Sequence, residues 1–377
     1  MKLKLFYPDY DCSILGIPNA LLRHYGVKTD IAPLPLLEKA LKHNHKNVIL
    51  IILDGMGIDM LQHNLPFFSF LRRHIKKRIS SVFPPTTTAA TTTFYSGLPP
   101  VAHGWLGWSP YFKDLGLVVE LFTNKNFYTG QDIPQNVTQK MSYTHIFEKI
   151  KNTNPTVQTT EVFPAFIRPG GVSSFDESCQ RIKAQTKKPG SQFIIAYWTD
   201  PDSTSHKFGP YSPNIKQVLK NLNSKIKQLC AALDDSLVII TADHGHIQNK
   251  KDIFLNDYPD LMDCLAAPLS LDMRAQAIFL KPEKETTFLS LFNRYLAQDF
   301  MLIKSQTALN MNLFGVGPAH PYAKDFLGDY LLISTSEKSL AQRFPNDCHK
   351  YLPGAHSGLT NREMLVPLIL IEKNPHF

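Results

Sequence analysis

The sequence predicts an α/β fold, a mostly parallel central sheet flanked by helices, from two observations. The first is a set of short apolar runs rich in β-branched residues: Asn47 to Leu53 (NVILIIL), Phe193 to Trp198 (FIIAYW) and Leu237 to Thr241 (LVIIT). Runs of this length without polar alternation suit strands buried on both faces. The second is the segment between the last two runs. Ser212 and Pro213 make a helix start, with Ser as cap and Pro at the first helical position. Ile215, Val218, Leu219, Leu222, Ile226 and Leu229 then recur at helical spacing, with Lys216, Lys220 and Lys227 on the other face. Strand, helix, strand in that order is a βαβ unit, which implies parallel neighbours.

The remaining elements follow in chain order. Ile58 to His74 suits a helix that Pro66 breaks or restarts. Ile79 to Phe83 suits a second short strand, and Met364 to Ile371 (MLVPLILI) a late one. From Asn249 to Pro353 the pattern changes to strand-like Ala277 to Leu280, a helical stretch from Phe288 to Gln298, and strand-like Tyr330 to Ser334. That change predicts a catalytic domain made of 1–248 and 354–377, interrupted by a small α+β cap at 249–353. Residues 107–189 give no legible pattern.

Composition bounds the function. With 377 residues, 43% of them hydrophobic, the chain has ample material for a large core. The net charge of +8 favours anionic substrates such as phosphate esters. Most lysines, such as Lys149, Lys151, Lys187 and Lys188, are dispersed and read as solvated surface. No RRM, zinc-finger or homeodomain signature is present, so no nucleic-acid-binding module is expected. Cys12, Cys179, Cys230, Cys264 and Cys348 are widely spaced, odd in number and form no CxxC. That excludes a disulfide framework or a cysteine-zinc site and fits a reducing compartment. The first residues, MKLKLFYPDYDC, lack the apolar stretch of a signal peptide. No run approaches the roughly 20 apolar residues of a membrane helix, so no membrane segment is expected and the expected location is cytoplasmic.

Four segments carry the chemistry. They hold Asp54 in ILIILDGMG, Asp202 and His206 in DPDSTSH, Asp243 and His244 in VIITADHGH, and His356 in PGAHSG. Asp and His are the ordinary donors for zinc or similar divalent ions. Asp54 and Asp243 fall just past strand ends, where α/β active sites form. Asp202 and His206, four apart, share a face of a helical turn. Asp243 and His244 are adjacent, and Gly245 allows the turn that reorients them. Singly, each residue reads as a cap or a hydrogen-bonded structural group. Together they read as a metal pair, and the chain as a metal-dependent hydrolase. Between the first two segments lies FPPTTTAATTTFYSG. Most of its threonines suit a polar, helix-capping segment. One threonine at a helix start would gain the backbone N–H groups that hold a phosphate, and could be the nucleophile that phosphoryl transfer needs.

The set resembles the alkaline phosphatase superfamily, and within it the type I phosphodiesterase/nucleotide pyrophosphatase family. The stretches that carry the resemblance are LDG at Leu53 to Gly55, FPPTTTAA at Phe83 to Ala90 and SGLPPVAHG at Ser96 to Gly104. PDSTSH at Pro201 to His206, ADHG at Ala242 to Gly245 and the late His356 complete it. The resemblance implies Thr87 as nucleophile and two divalent ions, zinc the expected metal. One ion would be held by Asp54, Asp243, His244 and the Thr87 oxygen, the other by Asp202, His206 and His356. The implied reaction is in-line attack by Thr87 on phosphorus to give a phosphothreonine, which water then hydrolyses.

The chain also departs from the family pattern. The family's loop Asn, a donor to a phosphate oxygen, falls at Ala90, leaving Thr91 or a backbone N–H to serve. The family's Gly before the second His is Ser205. No Arg of the classical phosphatases accompanies Thr87, and the CxPxR motif of sulfatases is absent. The threonine nucleophile that the resemblance implies and the lack of that Arg favour a phosphodiester or pyrophosphate bond in a small nucleotide-type substrate, while the missing Asn favours a non-catalytic descendant. Phosphomonoester or phosphonate hydrolysis on the same scaffold is the nearest alternative, and a non-catalytic nucleotide- or metal-binding descendant the other. Trp105, Trp108, Tyr111 and Phe112 form an aromatic cluster, core by default, with a base-stacking wall including Trp105 as the alternative. His103 reads as structural. His246 reads either as a group behind the ligands or as merely polar, and His43, His45, His63 and His74 as surface residues.

Overall fold

A computed structural model describes residues 3–345 and 350–374, so Cys348 lies outside the described residues. The central sheet has six strands, labelled here in chain order: β1 (Asn47–Leu53), β2 (Ile75–Ser80), β3 (Gln158–Val162), β4 (Gln192–Trp198), β5 (Ser236–Thr241) and β6 (Leu365–Lys373). They lie in the order β2-β6-β5-β1-β4-β3. β1 pairs in parallel with both β4 and β5, and β3 in parallel with β4. β6 is antiparallel to both β5 and β2. Only β6 therefore runs against the others. Every residue of β1 and β5 is buried, as an apolar run covered on both faces requires.

That direction rule decides where the chemistry lies. The C-terminal ends of β1, β2, β4 and β5 face one edge of the sheet, and the N-terminal end of β6 faces the same edge, since Leu365 pairs with Ser80. The loops after four strands and before the fifth thus open on one crevice.

Several elements sit where the sequence puts them. The βα connection after β4 includes the helix Pro213–Ala231, whose Ser212 side chain accepts from the Ile215 amide at 3.3 Å. Ile215, Leu219, Leu222, Ile226 and Leu229 are its buried stripe. The interrupted helix becomes two, Ile58–Asn64 and Phe70–Arg73, with Pro66 between them. β2 differs from the expected Ile79 to Phe83. It starts earlier and carries exposed Lys76, Lys77 and Arg78. An edge strand is blunted by such charges, and they hid it from an apolar-pattern reading.

A second, antiparallel sheet joins Ser270–Asp272, Ala275–Ile278, Tyr330–Ser334 and Phe300–Lys304 in that order. Its core is shared with the segment the sequence left unread: Trp105, Leu106, Phe112 and Val119 pack with Leu271, Ala277, Phe326 and Leu331. Ser109 and Leu271 exchange backbone hydrogen bonds of 2.9 and 2.7 Å. The aromatic run is accordingly split, with Phe112 packed on Phe326 inside this core. Among the described residues no helix is long and apolar enough to cross a membrane.

Candidate active site

Each chemical side chain arrives on a strand end or a loop fixed by the sheet. Asp54 leaves β1 with its amide still donated to the Trp198 carbonyl at 2.9 Å, and the Asp202 amide donates to the Asp54 carbonyl at 2.9 Å. Gly55 follows with φ of 71°, and its amide donates to Asp243 Oδ1 at 3.0 Å. A Cβ at Gly55 would lie 2.7 Å from His246 Nε2, so glycine is required both by the turn and by the space. Thr87 opens the helix Thr87–Ser96 with Thr86 as cap.

The seven residues expected to hold metal converge in two adjoining groups. In the first, ligand atoms of Asp54, Asp243 and His244 lie within 4.8 Å of one another. His244 Nε2 is 3.3 Å from Asp54 Oδ1 and 3.6 Å from Asp243 Oδ2. Thr87 Oγ1 lies 3.3 Å from His244 Nε2 and 3.5 Å from Asp54 Oδ2. Of the three neighbouring threonines, Thr87 is the one whose hydroxyl makes these contacts. Around Asp202 the grouping differs from the expected set. Asp202 Oδ1 lies 3.2 Å from His206 Nε2 and 3.8 Å from His356 Nε2. The ligand atoms that all lie within 4.8 Å of one another, however, are those of Asp202, His206 and His246, and those of Asp202, His244 and His356.

The three expected histidine ligands share one local device. His206 Nδ1–H donates to the Gly354 carbonyl at 2.9 Å, His244 to Gly245 at 3.1 Å and His356 to Pro85 at 3.0 Å. That fixes the tautomer and leaves each Nε2 lone pair facing the cluster, as a metal-ligating imidazole needs. The carboxylates fit a cation equally well. Asp54 Oδ1 and Asp243 Oδ2 are buried and have no hydrogen-bond partner. Burial, with Asp243 and Asp202 nearby, pushes the Asp54 carboxyl well above the usual carboxylate range. Burial and neighbouring His244 and His206 hold His356 well below the usual histidine range. Such crowding of like charges and inward lone pairs is relieved by divalent cations.

Two groups outside the expected ligand set touch it: His246, for which the sequence left two readings open, and Tyr197, which it missed. His246 is fully buried, and its Nε2 lies 2.7 Å from Asp202 Oδ1. The extra His of ADHGH was its signal, and the structure sets it against Asp202 rather than leaving it merely polar. Tyr197 donates its hydroxyl to Asp54 Oδ2. It carried no signal, because an aromatic within FIIAYW reads as strand core.

The expected substrate contacts fare differently. Ala90 has no accessible surface and sits in the main apolar core, which removes it from substrate contact. Thr91 donates to the Thr87 carbonyl at 2.6 Å, a bond within the helix. Trp105 is 9% exposed and donates its indole N–H to the Met141 carbonyl at 3.0 Å. The exposed aromatic beside it is Phe122, 6.0 Å away between ring centres. His103 accepts from the Trp105 amide at 3.1 Å, the structural role expected of it.

The fold is that of the alkaline-phosphatase-like α/β proteins. The chain belongs to the type I phosphodiesterase / nucleotide pyrophosphatase family, whose description matches residues 48–314. The bis(5'-adenosyl)-triphosphatase ENPP4 of Bos taurus is 26% identical over 225 residues, covering 55% of this chain and 49% of that one. Ectonucleotide pyrophosphatase/phosphodiesterase family member 5 of Homo sapiens is 26% identical over 240 residues, covering 59% of this chain and 50% of that one. The chain thus spans about half the length of the curated relatives it matches. Murine ENPP5 superposes with a TM-score of 0.63 at 18% identity, covering 88% of each chain. Phosphonoacetate hydrolase from Sinorhizobium meliloti 1021 superposes at 0.58 with 16% identity, covering 87% of this chain and 90% of that one.

Proposed function

We propose that this chain is a two-metal phosphoester hydrolase that cleaves phosphodiester or pyrophosphate bonds in nucleotide-type substrates, with Thr87 as nucleophile. The observation that carries the reading is the position of Thr87 Oγ1, 3.3 Å from His244 Nε2 and 3.5 Å from Asp54 Oδ2, at the first position of a helix. Asp54, Asp243, His244 and Thr87 would hold one ion, and Asp202, His206 and His356 the other, with zinc the metal that suits the Asp/His set. When bound, such ions supply Lewis-acid stabilisation of phosphoryl oxygens and favour the ionised hydroxyl of the nucleophile.

The rest of the chemistry belongs to the chain. Thr87 Oγ1 attacks phosphorus in line and forms a phosphothreonine while the leaving oxygen departs; water then cleaves that ester. The first amides of the helix that Thr87 opens have no partners within it and would be available to hold a phosphoryl oxygen. That supply of backbone donors compensates for alanine at position 90. Tyr197, donating to Asp54, keeps that carboxylate turned toward Thr87.

Nucleotide substrates are supported by the family and by murine ENPP5, solved in an inactive threonine-to-alanine form in complex with AMP. The division into a catalytic part, 1–248 with 354–377, and an inserted cap, 249–353, belongs to the same proposal. The separate four-stranded sheet supports it.

The test is turnover of bis-p-nitrophenyl phosphate against p-nitrophenyl phosphate by zinc-loaded protein, with Thr87→Ala as control. Preference for the diester, lost in the variant, is the expected result. Preference for the monoester moves the protein to the phosphatase reading. Turnover that survives in Thr87→Ala overturns the assignment of the nucleophile.

A further inference from the structure

A second kind of histidine cluster lies at the other end of the central sheet. His43 and His45 precede β1 in HNHKN, and Glu372 is near the end of β6. Register brings them together. Asn47 pairs with Ser236, and Ser236 pairs with Lys373, so the start of β1 and the end of β6 flank the start of β5. This end is a full strand length, about 20 Å, from the crevice that holds Asp54.

Ligand atoms of His43, His45 and Glu372 all lie within 4.8 Å of one another. Glu372 Oε2 is 2.5 Å from His43 Nδ1 and 3.7 Å from His45 Nε2. His45 was expected at the surface but its side chain is only 4% exposed. On its far side, His45 Nδ1 lies 3.3 Å from Asp235 Oδ1. A proton on Nδ1 satisfies that contact and leaves the Nε2 lone pair facing the Glu372 carboxylate. His45 Nε2 is buried and has no hydrogen-bond partner among the described residues. A lone pair facing an anion is repulsive unless a cation lies between them. The proton does not serve well, because 3.7 Å is too long for an N–H···O bond.

The arrangement is that of a metal-ligating histidine whose other nitrogen is oriented by a carboxylate. We propose that His43, His45 and Glu372 form a peripheral transition-metal site of the zinc class, with Asp235 orienting His45. Two donors each about 2.0–2.2 Å from one zinc ion lie roughly 3.3 Å apart. The 3.7 Å separation needs to close slightly and the 2.5 Å one to open by under 1 Å. His43, 56% exposed, has room to give. Three protein donors leave the fourth position to water. Bound there, an ion would clip the last strand of the sheet to the loop that enters the first. Because the donors meet only in the folded chain, occupancy would raise thermal stability.

The inference is independent of the proposed reaction, and the experiment keeps them apart. Metal-stripped full-length protein is titrated with Zn2+ by calorimetry, and bound zinc is counted after gel filtration. The same is done for His43→Ala and Glu372→Gln, which alter exposed groups and leave the core intact. The expected result is one equivalent of zinc fewer in each variant than in the parent. The thermal midpoint of the variants should respond less to added zinc, while zinc-loaded turnover of bis-p-nitrophenyl phosphate stays at the parent level. Equal zinc equivalents and affinities in parent and variants overturn the proposal. So does a distinguishing site weaker than about 100 µM, which is surface adsorption.

Discussion

Arg274 and Glu363 form a fully buried, two-point ion pair that joins the second sheet to the segment carrying His356. Arg274 Nε donates to Glu363 Oε1 at 2.6 Å and Nη2 to Oε2 at 3.2 Å. Two further donors are used as well, Nη1 on the Lys338 carbonyl at 2.9 Å and Nη2 on the Ser336 carbonyl at 3.1 Å. Glu363 also accepts from the Gly358 amide at 2.8 Å and from Thr360 Oγ1 at 2.6 Å. Removing one partner leaves an uncompensated buried charge, which costs about 3–5 kcal/mol. Arg274→Met should therefore lower the unfolding free energy by that much, read as a lower urea midpoint. Adding Glu363→Gln should recover part of the loss. A variant as stable as the parent would show that Glu363 finds another partner.

Thr87→Ala should cut kcat/KM for bis-p-nitrophenyl phosphate by about 1,000-fold or more, the scale seen when a nucleophile is deleted. Bound zinc, counted by mass spectrometry, should hardly change, because the Asp54, Asp243 and His244 cluster stands without the hydroxyl. Thr87→Ser keeps an oxygen at this position and should retain measurable turnover. Loss of zinc together with activity in Thr87→Ala would make the residue a structural ligand instead.

His246 differs from the other three histidines of the crevice. Their Nδ1–H groups rest on backbone carbonyls, whereas His246 Nδ1 is buried without a partner and its Nε2 lies against Asp202. It also belongs with Asp202 and His206 to a group whose ligand atoms lie within 4.8 Å of one another; its expected role is that of the donor that holds Asp202. His246→Gln places an amide N–H near the same point and should bind zinc almost as the parent does. His246→Leu removes the donor and should weaken zinc binding by about 10- to 100-fold. Competition with a chromophoric chelator measures both. Parent-like affinity in the Leu variant would reduce His246 to packing.

The legible parts of this protein are those where one physical signal dominates. β1 and β5 are buried on both faces, so continuous apolar runs mark them, and Ser212-Pro213 marks a helix start by backbone chemistry alone. The Asp and His residues were legible because three of their four segments contain or directly follow such strands. β2 was misplaced because its exposed face carries Lys76, Lys77 and Arg78. Ala90 was set against the substrate because motif position says nothing about which face of a helix is buried. Within 107–189, the short strands Tyr111–Phe112, Leu117–Glu120 and Lys125–Asn126 pair with one another, but the core that Phe112 and Val119 join is completed by residues more than a hundred positions away. Ser109 bonds to Leu271, and Trp105 and Phe112 pack in a core completed by residues such as Leu331. No local pattern encodes that pairing.

The cysteines give a prediction about local opening rather than chemistry. Burial, with Asp176 nearby, pushes the Cys179 thiol up to about 12, and burial pushes Cys230 up to about 12. A raised thiol pKa means the protonated form persists at mildly alkaline pH. At pH 8 roughly one part in 10,000 is thiolate, the reactive form. Iodoacetamide at pH 8 should therefore leave both thiols unmodified in the folded protein and alkylate both in urea, as read by peptide mass mapping. Cys230 is also 3% exposed, next to the last residue of the helix Pro213–Ala231. Its labelling in native buffer would require that helix end to unpack from the sheet. Labelling at Cys230 faster than at Cys179 would thus locate a low-stability region in the helix that follows the candidate ligands Asp202 and His206.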